Sequence, residues 1–179
     1  MIGLSATRTT TEAIQWADLV GERSSRGGNG YRVGAQYQKL LRPKFALESG
    51  LYLTQVKYQL VASFVGPEGM PTVSVPEDRT YRMLSLVLRP KYYVNTHRVR
   101  FYFVGGLSID AQIYDSVNED SNSGVGAQLG AGLEGTLGKR FVLSLEPNIR
   151  ALSLIRFESE RYPWRVMTAG IQLGAHYTL

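Results

Sequence analysis

The residues of this chain that could do chemistry are charged side chains at alternate positions of long apolar segments. In RFVLSLEPNIRALSLIRF, residues 140–157, Glu146 and Arg150 fall on one alternate face, while the other face is almost entirely apolar. Residues at every second position of a strand point to the same side of a sheet. Charges on such a face can form ion pairs with one another, or they can carry protons or ions through a protein.

Charged residues occupy the corresponding face of six predicted strands, and their signs nearly balance. Counted from the neighbouring turns, Glu48 lies at a height similar to that of Arg89 and Lys91, and Glu134 lies near Arg100. Unpaired buried charge is too costly for a folded protein to tolerate. We therefore predict that a polar network of ion pairs fills the interior. Its predicted members are Arg32, Glu48, Arg89, Lys91, Arg100, Asp110, Glu134, Glu146 and Arg150.

Other kinds of chemistry have little support in the sequence. The chain has no cysteine, which excludes disulfides, thiolate metal sites and cysteine nucleophiles. Neither His97 nor His176 shares a motif with a serine or a carboxylate. The segment GAGLEG (130–135) matches the dinucleotide-binding motif G-x-G-x-x-G, but TLGKRF and another strand follow it, where that motif requires a helix. We therefore expect no enzymatic activity, no cofactor and no metal site.

Charge and hydropathy narrow the range of partners. The formal net charge is +5, but the basic residues are scattered rather than grouped, which argues against nucleic acid as a partner. An acidic lipid or glycolipid surface would satisfy the same charge. The sequence has no apolar run near the ~18 residues that a transmembrane helix needs. It also begins without a visible signal peptide, so we expect an exported form to be a mature or trimmed chain.

Period-two alternation predicts eight strands, and TEAIQWADLV (11–20) could make at most a turn or two of helix. The predicted strands cover residues 2–11, 30–41, 44–62, 79–94, 98–114, 123–137, 140–157 and 164–179. Short and long connections alternate along the chain. The short ones are Arg42-Pro43, Asn95-Thr96-His97 and Gly138-Lys139, and the long ones contain WADLVGERSSRGGN, FVGPEGMPTVSVPEDR, DSVNEDSNS and ESERYP. This segregation is typical of an up-and-down outer-membrane barrel, with tight periplasmic turns and longer extracellular loops.

The apolar alternate faces continue around all eight predicted strands. In water, such a band would be an exposed apolar patch with an area far larger than the roughly few hundred Å² that monomeric proteins tolerate. We therefore predict an all-β fold, an eight-stranded antiparallel up-and-down transmembrane β-barrel, as a single domain over residues 1–179. A barrel of this size is just wide enough for side chains to fill it. The interior should be packed rather than open as a pore.

Aromatic residues mark the predicted membrane interfaces. Several are at alternate positions predicted to face outward, within a few residues of a short turn or of the end of the last strand. Others lie near the long loops. They predict an aromatic girdle at each interface. The inner girdle comprises Phe45, Tyr92, Phe101, Phe141 and Tyr177, and the outer one Phe157 and Trp164, with Tyr31 as a further candidate.

Two features strain the predicted barrel. Pro90 and Pro147 fall within strands that should be hydrogen-bonded on both sides, where proline removes a ladder bond. We expect β-bulges to accommodate them. The first predicted strand is also short, so it would cover only part of the bilayer.

The chain resembles small eight-stranded outer-membrane barrels of the OmpX/OmpA type and the PorT-like outer-membrane β-barrel proteins of Bacteroidetes-type bacteria. The segments that carry the resemblance are KFALESGLYLTQVKY, VRFYFVGGLSIDAQI, GVGAQLGAGLEGTLGKRFVLSLEPNIR and GIQLGAHYTL. The resemblance implies an envelope protein or an accessory subunit of an envelope complex, with no common catalytic residues. It also implies that the last strand is read by the barrel-assembly machinery, although this chain ends in Leu179 instead of an aromatic residue.

Together these features predict a barrel in the outer membrane of a Gram-negative bacterium, with a structural or partner-binding role. The expected partners are outer-membrane lipid and lipopolysaccharide, the barrel-assembly machinery, and a protein at the extracellular loops or rim, but not nucleic acid. One alternative is a soluble calycin-like barrel that binds an apolar ligand, which needs an apolar interior and a polar exterior. Another is a lipid-modifying outer-membrane enzyme, which needs a histidine with a serine or carboxylate near the outer rim.

Overall fold

The computed structural model describes residues 1–15, 23–65, 71–73, 77–115, 123–157 and 164–178. Within these ranges the chain forms nine β-strands. They are β1 (Ile2–Gln15), β2 (Arg23–Arg42), β3 (Phe45–Val65), β4 (Pro71–Val73), β5 (Glu77–Tyr93), β6 (Val99–Asp115), β7 (Gly124–Leu137), β8 (Phe141–Arg156) and β9 (Trp164–Tyr177). None of the residues described belongs to a helix that is long and apolar enough to cross a membrane.

Eight of these strands form a closed ring. Each pairs antiparallel with its neighbours in the order β1-β2-β3-β5-β6-β7-β8-β9, and β9 returns to pair with β1. Strand β4 lies outside this ring and, among the described strands, pairs with the end of β3 alone. Closure removes the open sheet edges that would otherwise expose unpaired backbone groups. The predicted eight-stranded antiparallel up-and-down barrel is confirmed.

The barrel has two distinct ends. Three short connections lie at one end, which we call the turn side: they link Arg42 to Phe45, Tyr93 to Val99, and Leu137 to Phe141. Gly138 takes a φ of 70° in the last of these turns, a left-handed conformation that glycine adopts without steric cost. The strand ends that flank the undescribed ranges lie at the opposite end, which we call the loop side.

Side chains alternate between an apolar exterior and a polar interior. On β5, Leu84, Leu86 and Leu88 are exposed, whereas Arg89 and Lys91 are 1% exposed. Because successive residues of a strand point to opposite faces, one sequence supplies both surfaces. The barrel therefore carries its charges inside and its leucines outside, which is the reverse of a soluble β-barrel.

The first strand is longer than the sequence predicts. Strand β1 extends to Gln15 and pairs with β9 along its whole length, from Ile2–Tyr177 to Gln15–Trp164. The prediction of a short first strand was therefore wrong, and so was any helix over residues 11–15; residues 16–20 lie outside the described ranges. Pairing with a neighbour at every position outweighs the weak helical spacing of this threonine-rich segment.

Neither strand proline lies at a bulge. Pro90 pairs with Leu47, and Pro147 pairs with Ile171, in ladders whose registers are unbroken. On the other side, each ladder lacks two residue pairs at the proline and resumes in the same register. The predicted bulges were therefore wrong, because a local gap in the ladder on one side is enough to tolerate the missing N–H.

A bulge does occur elsewhere on β8, at Ser153. The β7–β8 register shifts between Val125 and Ala127, and Ser153 has a φ of 46°. Ser153 is buried while Leu154 is exposed. The strict alternation predicted for residues 140–157 therefore breaks after Leu152, because the bulge places three residues of β8, Leu152 to Leu154, opposite Gly126 alone.

Candidate functional site

The turn-side half of the interior is built on a chain of ion pairs. Arg89 lies between two carboxylates: its Nε donates to Glu48 Oε1 at 2.8 Å, and its Nη1 donates to Glu146 Oε1 at 2.7 Å. Lys91 Nζ lies 3.1 Å from Glu48 Oε2 and 2.7 Å from Glu134 Oε1. All five side chains are at most 2% exposed. Their charges alternate through the interior, so each is stabilised by neighbours of opposite sign.

Two tyrosines and a third cation complete this group. Tyr102 donates to Glu146 Oε2 at 2.9 Å, and Tyr93 donates to Glu134 Oε2 at 2.7 Å. Arg100 Nη2 lies 3.1 Å from the same Glu134 oxygen. We call Glu48, Arg89, Lys91, Arg100, Glu134 and Glu146 the turn-side cluster. Its three cations and three carboxylates cancel, so the cluster is neutral as a whole.

The loop-side half of the interior has a separate ion pair. Arg150 pairs with Asp110, and its Nη2 also donates to Ser85 Oγ at 2.7 Å and to Ser108 Oγ at 3.3 Å. The backbone N–H of Ser153 donates to Asp110 Oδ2 at 3.3 Å. The bulge at Ser153 thus supplies a backbone donor to the buried carboxylate.

Arg32 is the exception among the interior charges. It is 3% exposed, its Nη1 donates to Gln128 Oε1 at 3.3 Å, and its guanidinium carbon lies 3.6 Å from the centre of the Tyr52 ring. Within the described part of the chain, no carboxylate forms an ion pair with it. Stacking on an aromatic ring stabilises a cation, but it does not cancel the charge.

The structure places all nine predicted network residues on the interior face and brings most of them together in pairs. Glu48 meets Arg89 and Lys91, and Glu134 meets Arg100, in agreement with their predicted heights. Glu146 and Arg150, the pair in the quoted segment, do not pair with each other. Each instead finds a partner on another strand, Arg89 and Asp110 respectively.

The interior also brings together a serine and a histidine that the sequence does not connect. Ser144 Oγ lies 3.2 Å from His176 Nε2, and Gln36 Nε2 lies 3.0 Å from the same nitrogen. Ser144 and His176 are 32 positions apart on neighbouring strands, so no local motif could reveal them. His97, in contrast, is exposed in a turn. In the ranges that are described, no group of three or more histidine and acidic side chains could hold a metal ion.

The predicted girdle residues with described side chains point outward on the two rims. Tyr92, Phe101, Phe141 and Phe157 are at least half exposed, and Tyr177 packs edge-on against Phe141 at 5.4 Å between ring centres. Phe45 pairs with Tyr92 in the β3–β5 ladder. The side chain of Trp164 lies outside the described part of the structure.

Exposed cations crowd the turn side. Six lysines and arginines lie on or beside the three short turns and are exposed, and the described residues include no exposed aspartate or glutamate at this end. The six are Lys39, Arg42, Lys44, Arg98, Lys139 and Arg140. Grouped cations of this kind attract anionic surfaces, although the sequence had suggested only scattered charge.

No protein-family model matches the chain, and no curated protein matches it. Among solved structures, the chain is similar to Neisserial surface protein A, with a TM-score of 0.57 and 12% identity over 98% of this chain and 96% of that one. It is also similar to the outer membrane enzyme PagL (TM-score 0.56, 11% identity, 95% and 97% covered). A third is the outer membrane protein OprG from Pseudomonas aeruginosa (TM-score 0.53, 9% identity, 99% and 94% covered). At these identities the likeness shows the fold, which is that of the small outer-membrane β-barrels.

Proposed function

We propose that the protein is a non-conducting barrel of a Gram-negative outer membrane, with a structural or partner-binding role. The observation that carries this proposal is the distribution of polarity. Ion pairs and hydrogen bonds occupy the interior, while leucine, isoleucine and phenylalanine cover the exterior. In water, an exterior of this kind would be unstable or would aggregate; against lipid hydrocarbon it carries no such cost.

The same distribution opposes a soluble ligand-binding barrel. A soluble calycin-like protein needs an apolar cavity, but here the central positions are occupied by buried residues such as Arg89, Glu146 and Lys91. Folding from urea tests the proposal directly. We expect a β-sheet circular dichroism spectrum and a heat-sensitive shift in gel mobility only when detergent micelles are present. Cooperative folding in plain buffer would contradict the membrane location.

The packed interior supports a role other than conduction. Among the residues that the structure describes, seven of the eight barrel strands place at least one buried side chain in the interior. The turn-side cluster also connects strands on opposite sides of the barrel. Ions would have to displace these pairs to pass. In planar bilayers, we expect the purified protein to show no steady conductance above the background of a protein-free membrane. Stable conductance steps would contradict this part of the proposal.

The surfaces suggest which molecules the barrel meets. The basic turn side would face the phosphates of the periplasmic leaflet, and the rim at the loop side would face lipopolysaccharide and a protein partner. Outward Ile171, Leu173 and Ala175 on β9 fit the alternating signal that the barrel-assembly machinery reads. These features support an accessory envelope subunit similar to PorT-like proteins. We expect anionic lipid to speed folding into vesicles in a salt-sensitive manner.

One observation favours a second candidate, a lipid-modifying enzyme, although its serine–histidine pair would lie near the turn side and not at the outer rim where such an enzyme was expected to have it. Ser144 contacts His176 and also lines a groove of 770 Å³ whose walls include the outward residues Leu4, Leu143 and Leu173. An acyl chain in this groove would lie beside a serine–histidine pair, which could hydrolyse an ester with water. The proposed non-enzymatic role predicts no release of fatty acid from lipopolysaccharide or phospholipid. Release that Ser144→Ala abolishes would favour the enzyme instead.

A further inference from the structure

The interior holds one more cation than its described carboxylates can neutralise. Its five cations are Arg32, Arg89, Lys91, Arg100 and Arg150, and its four carboxylates are Glu48, Asp110, Glu134 and Glu146. The turn-side cluster is neutral, and Asp110 neutralises Arg150. The surplus positive charge therefore lies on the loop side, at Arg32.

The strand register brings Arg32 close to Arg150. Gln128 is the cross-strand neighbour of Arg150 in the β7–β8 ladder, and its Oε1 accepts a hydrogen bond from Arg32 at 3.3 Å. Thr54 is the cross-strand neighbour of Arg32 in the β2–β3 ladder. These four side chains thus meet at one height, and each is at least 95% buried.

Most polar side-chain atoms of these four residues have no hydrogen-bond partner in the described ranges, and most of those unpaired atoms are donors. Among the residues that the structure describes, six buried side-chain atoms at this height have no hydrogen-bond partner. They are Arg32 Nε and Nη2, Arg150 Nε and Nη1, Gln128 Nε2 and Thr54 Oγ1. Five of the six can only donate, and leaving buried donors unsatisfied is costly. An anion fits these atoms better than water does, because a water molecule brings two hydrogens of its own and Thr54 Oγ1 is the one acceptor among the six.

The surroundings would strengthen binding of an anion. Arg32 stacks on Tyr52 on the turn side, and a buried apolar group of Tyr81, Met83 and Leu152 lies towards the loop side. Side chains of this kind exclude water and lower the local dielectric constant, which strengthens charge–dipole and charge–charge attraction.

We propose that Arg32 and Arg150, with Gln128 and Thr54, bind one small monovalent inorganic anion of the halide class inside the barrel. The guanidinium, amide and hydroxyl hydrogens supply the ligands, and the single negative charge cancels the surplus at Arg32. The anion would act as a structural component that completes the interior network, and it is distinct from the surfaces assigned to lipid and protein partners.

Bromide is the probe that tests this site. The full chain is folded in uncharged detergent with gluconate as the only anion, and bromide is then added at constant ionic strength. We expect the unfolding temperature, followed by circular dichroism, to rise and then saturate, because a ligand that binds only the folded state stabilises it. Crystals grown with bromide should show an anomalous peak between Arg32 and Arg150.

Two variants separate a bound anion from a purely structural arginine. Arg32→Gln should lose the response to bromide, yet in gluconate it should be at least as stable as the parent, because it removes the surplus charge. Lys57→Gln removes an exposed positive charge and should keep the full response. If Arg32→Gln fails to fold, the bromide peak in the parent protein decides.

Several results would overturn the proposal. The first is an unfolding temperature that does not change with bromide, combined with the absence of an anomalous peak. The second is an equal response to bromide in Arg32→Gln. The third is electron density that shows a carboxylate side chain bound to Arg32. Stabilisation by sulfate but not by bromide would overturn the assignment of a monovalent anion.

Discussion

Arg89 and Glu146 meet inside the barrel although two other strands separate β5 from β8. Arg89 Nη1 donates to Glu146 Oε1 at 2.7 Å, while the Nε of the same guanidinium donates to Glu48 on the adjacent strand β3. One side chain therefore joins both a neighbouring and a distant part of the wall. Such a contact depends on the whole ring being closed in a single register.

Replacing Arg89 should destabilise the barrel strongly. In Arg89→Met, Tyr102 is the one described side chain that still donates a hydrogen bond to Glu146. Glu48 keeps Lys91 as its main partner. Breaking a buried ion pair by removing one partner costs about 3–5 kcal/mol. We expect a loss of this size in the free energy of unfolding, measured by urea titration in lipid vesicles.

The control for this experiment is Arg82→Met, which removes an exposed arginine from the same strand and should cost less than about 1 kcal/mol. Adding Glu146→Gln to Arg89→Met should recover part of the loss, because it removes the uncompensated carboxylate. Equal stability of Arg89→Met and Arg82→Met would show that the cross-barrel pair contributes nothing.

Gly132 should not tolerate even one added methyl group. A Cβ at this position would lie 2.5 Å from the Tyr102 hydroxyl and 2.7 Å from the Leu145 carbonyl oxygen. Overpacking typically costs about 1–3 kcal/mol, and here it would also displace the hydroxyl that donates to Glu146. We expect Gly132→Ala to lower the urea midpoint of unfolding accordingly.

Gly135 supplies a matched control three positions along the same strand, because nothing lies within 4 Å of a Cβ placed there. Gly135→Ala should be neutral or slightly stabilising, since alanine restricts the unfolded chain. Similar losses in the two variants would mean that strand propensity, rather than contact with Tyr102, sets the cost.

Local alternation predicted the barrel and the two faces of each strand because every residue of a regular strand has only two directions available. It also predicted contacts between adjacent strands, such as Glu48 with Arg89, since short turns fix the relative heights of neighbours. Contacts across the interior, such as Arg89 with Glu146, depend on the stagger of all eight strands together. Periodicity within one strand carries no information about that stagger.

The position of the irregular backbone was the second feature that the sequence did not predict. The prolines suggested bulges at Pro90 and Pro147, but the β8 bulge lies at Ser153. Serine has no special preference for a left-handed conformation, so its identity gives no warning. The bulge is explained by tertiary contacts, because it directs the Ser153 N–H to Asp110.

Ser153 should accept glycine but reject a β-branched residue. Its φ of 46° is costly for residues that branch at Cβ, and strained conformations of this kind cost on the order of 1–3 kcal/mol. We expect Ser153→Val to lose about this much stability, while Ser153→Gly, which relieves the backbone, should lose less. If both variants are equally destabilised in urea titrations, the Ser153 side chain rather than its backbone conformation is what the bulge requires.

The loss of stability caused by an arginine substitution on the exterior should show which part of the barrel surface contacts the lipid hydrocarbon. Leu129 is 71% exposed and pairs with Gly105 and Ile149 near the middle of their strands, whereas Leu137 is the last residue of β7. Arginine costs about 2–4 kcal/mol at the midplane of a bilayer and about 0–1 kcal/mol near its interfaces. Leu129→Arg should therefore lose several times more stability than Leu137→Arg in lipid vesicles. On a soluble protein, both substitutions would lie on the surface and change stability by less than about 0.5 kcal/mol, so equal and small losses would argue that this face meets water.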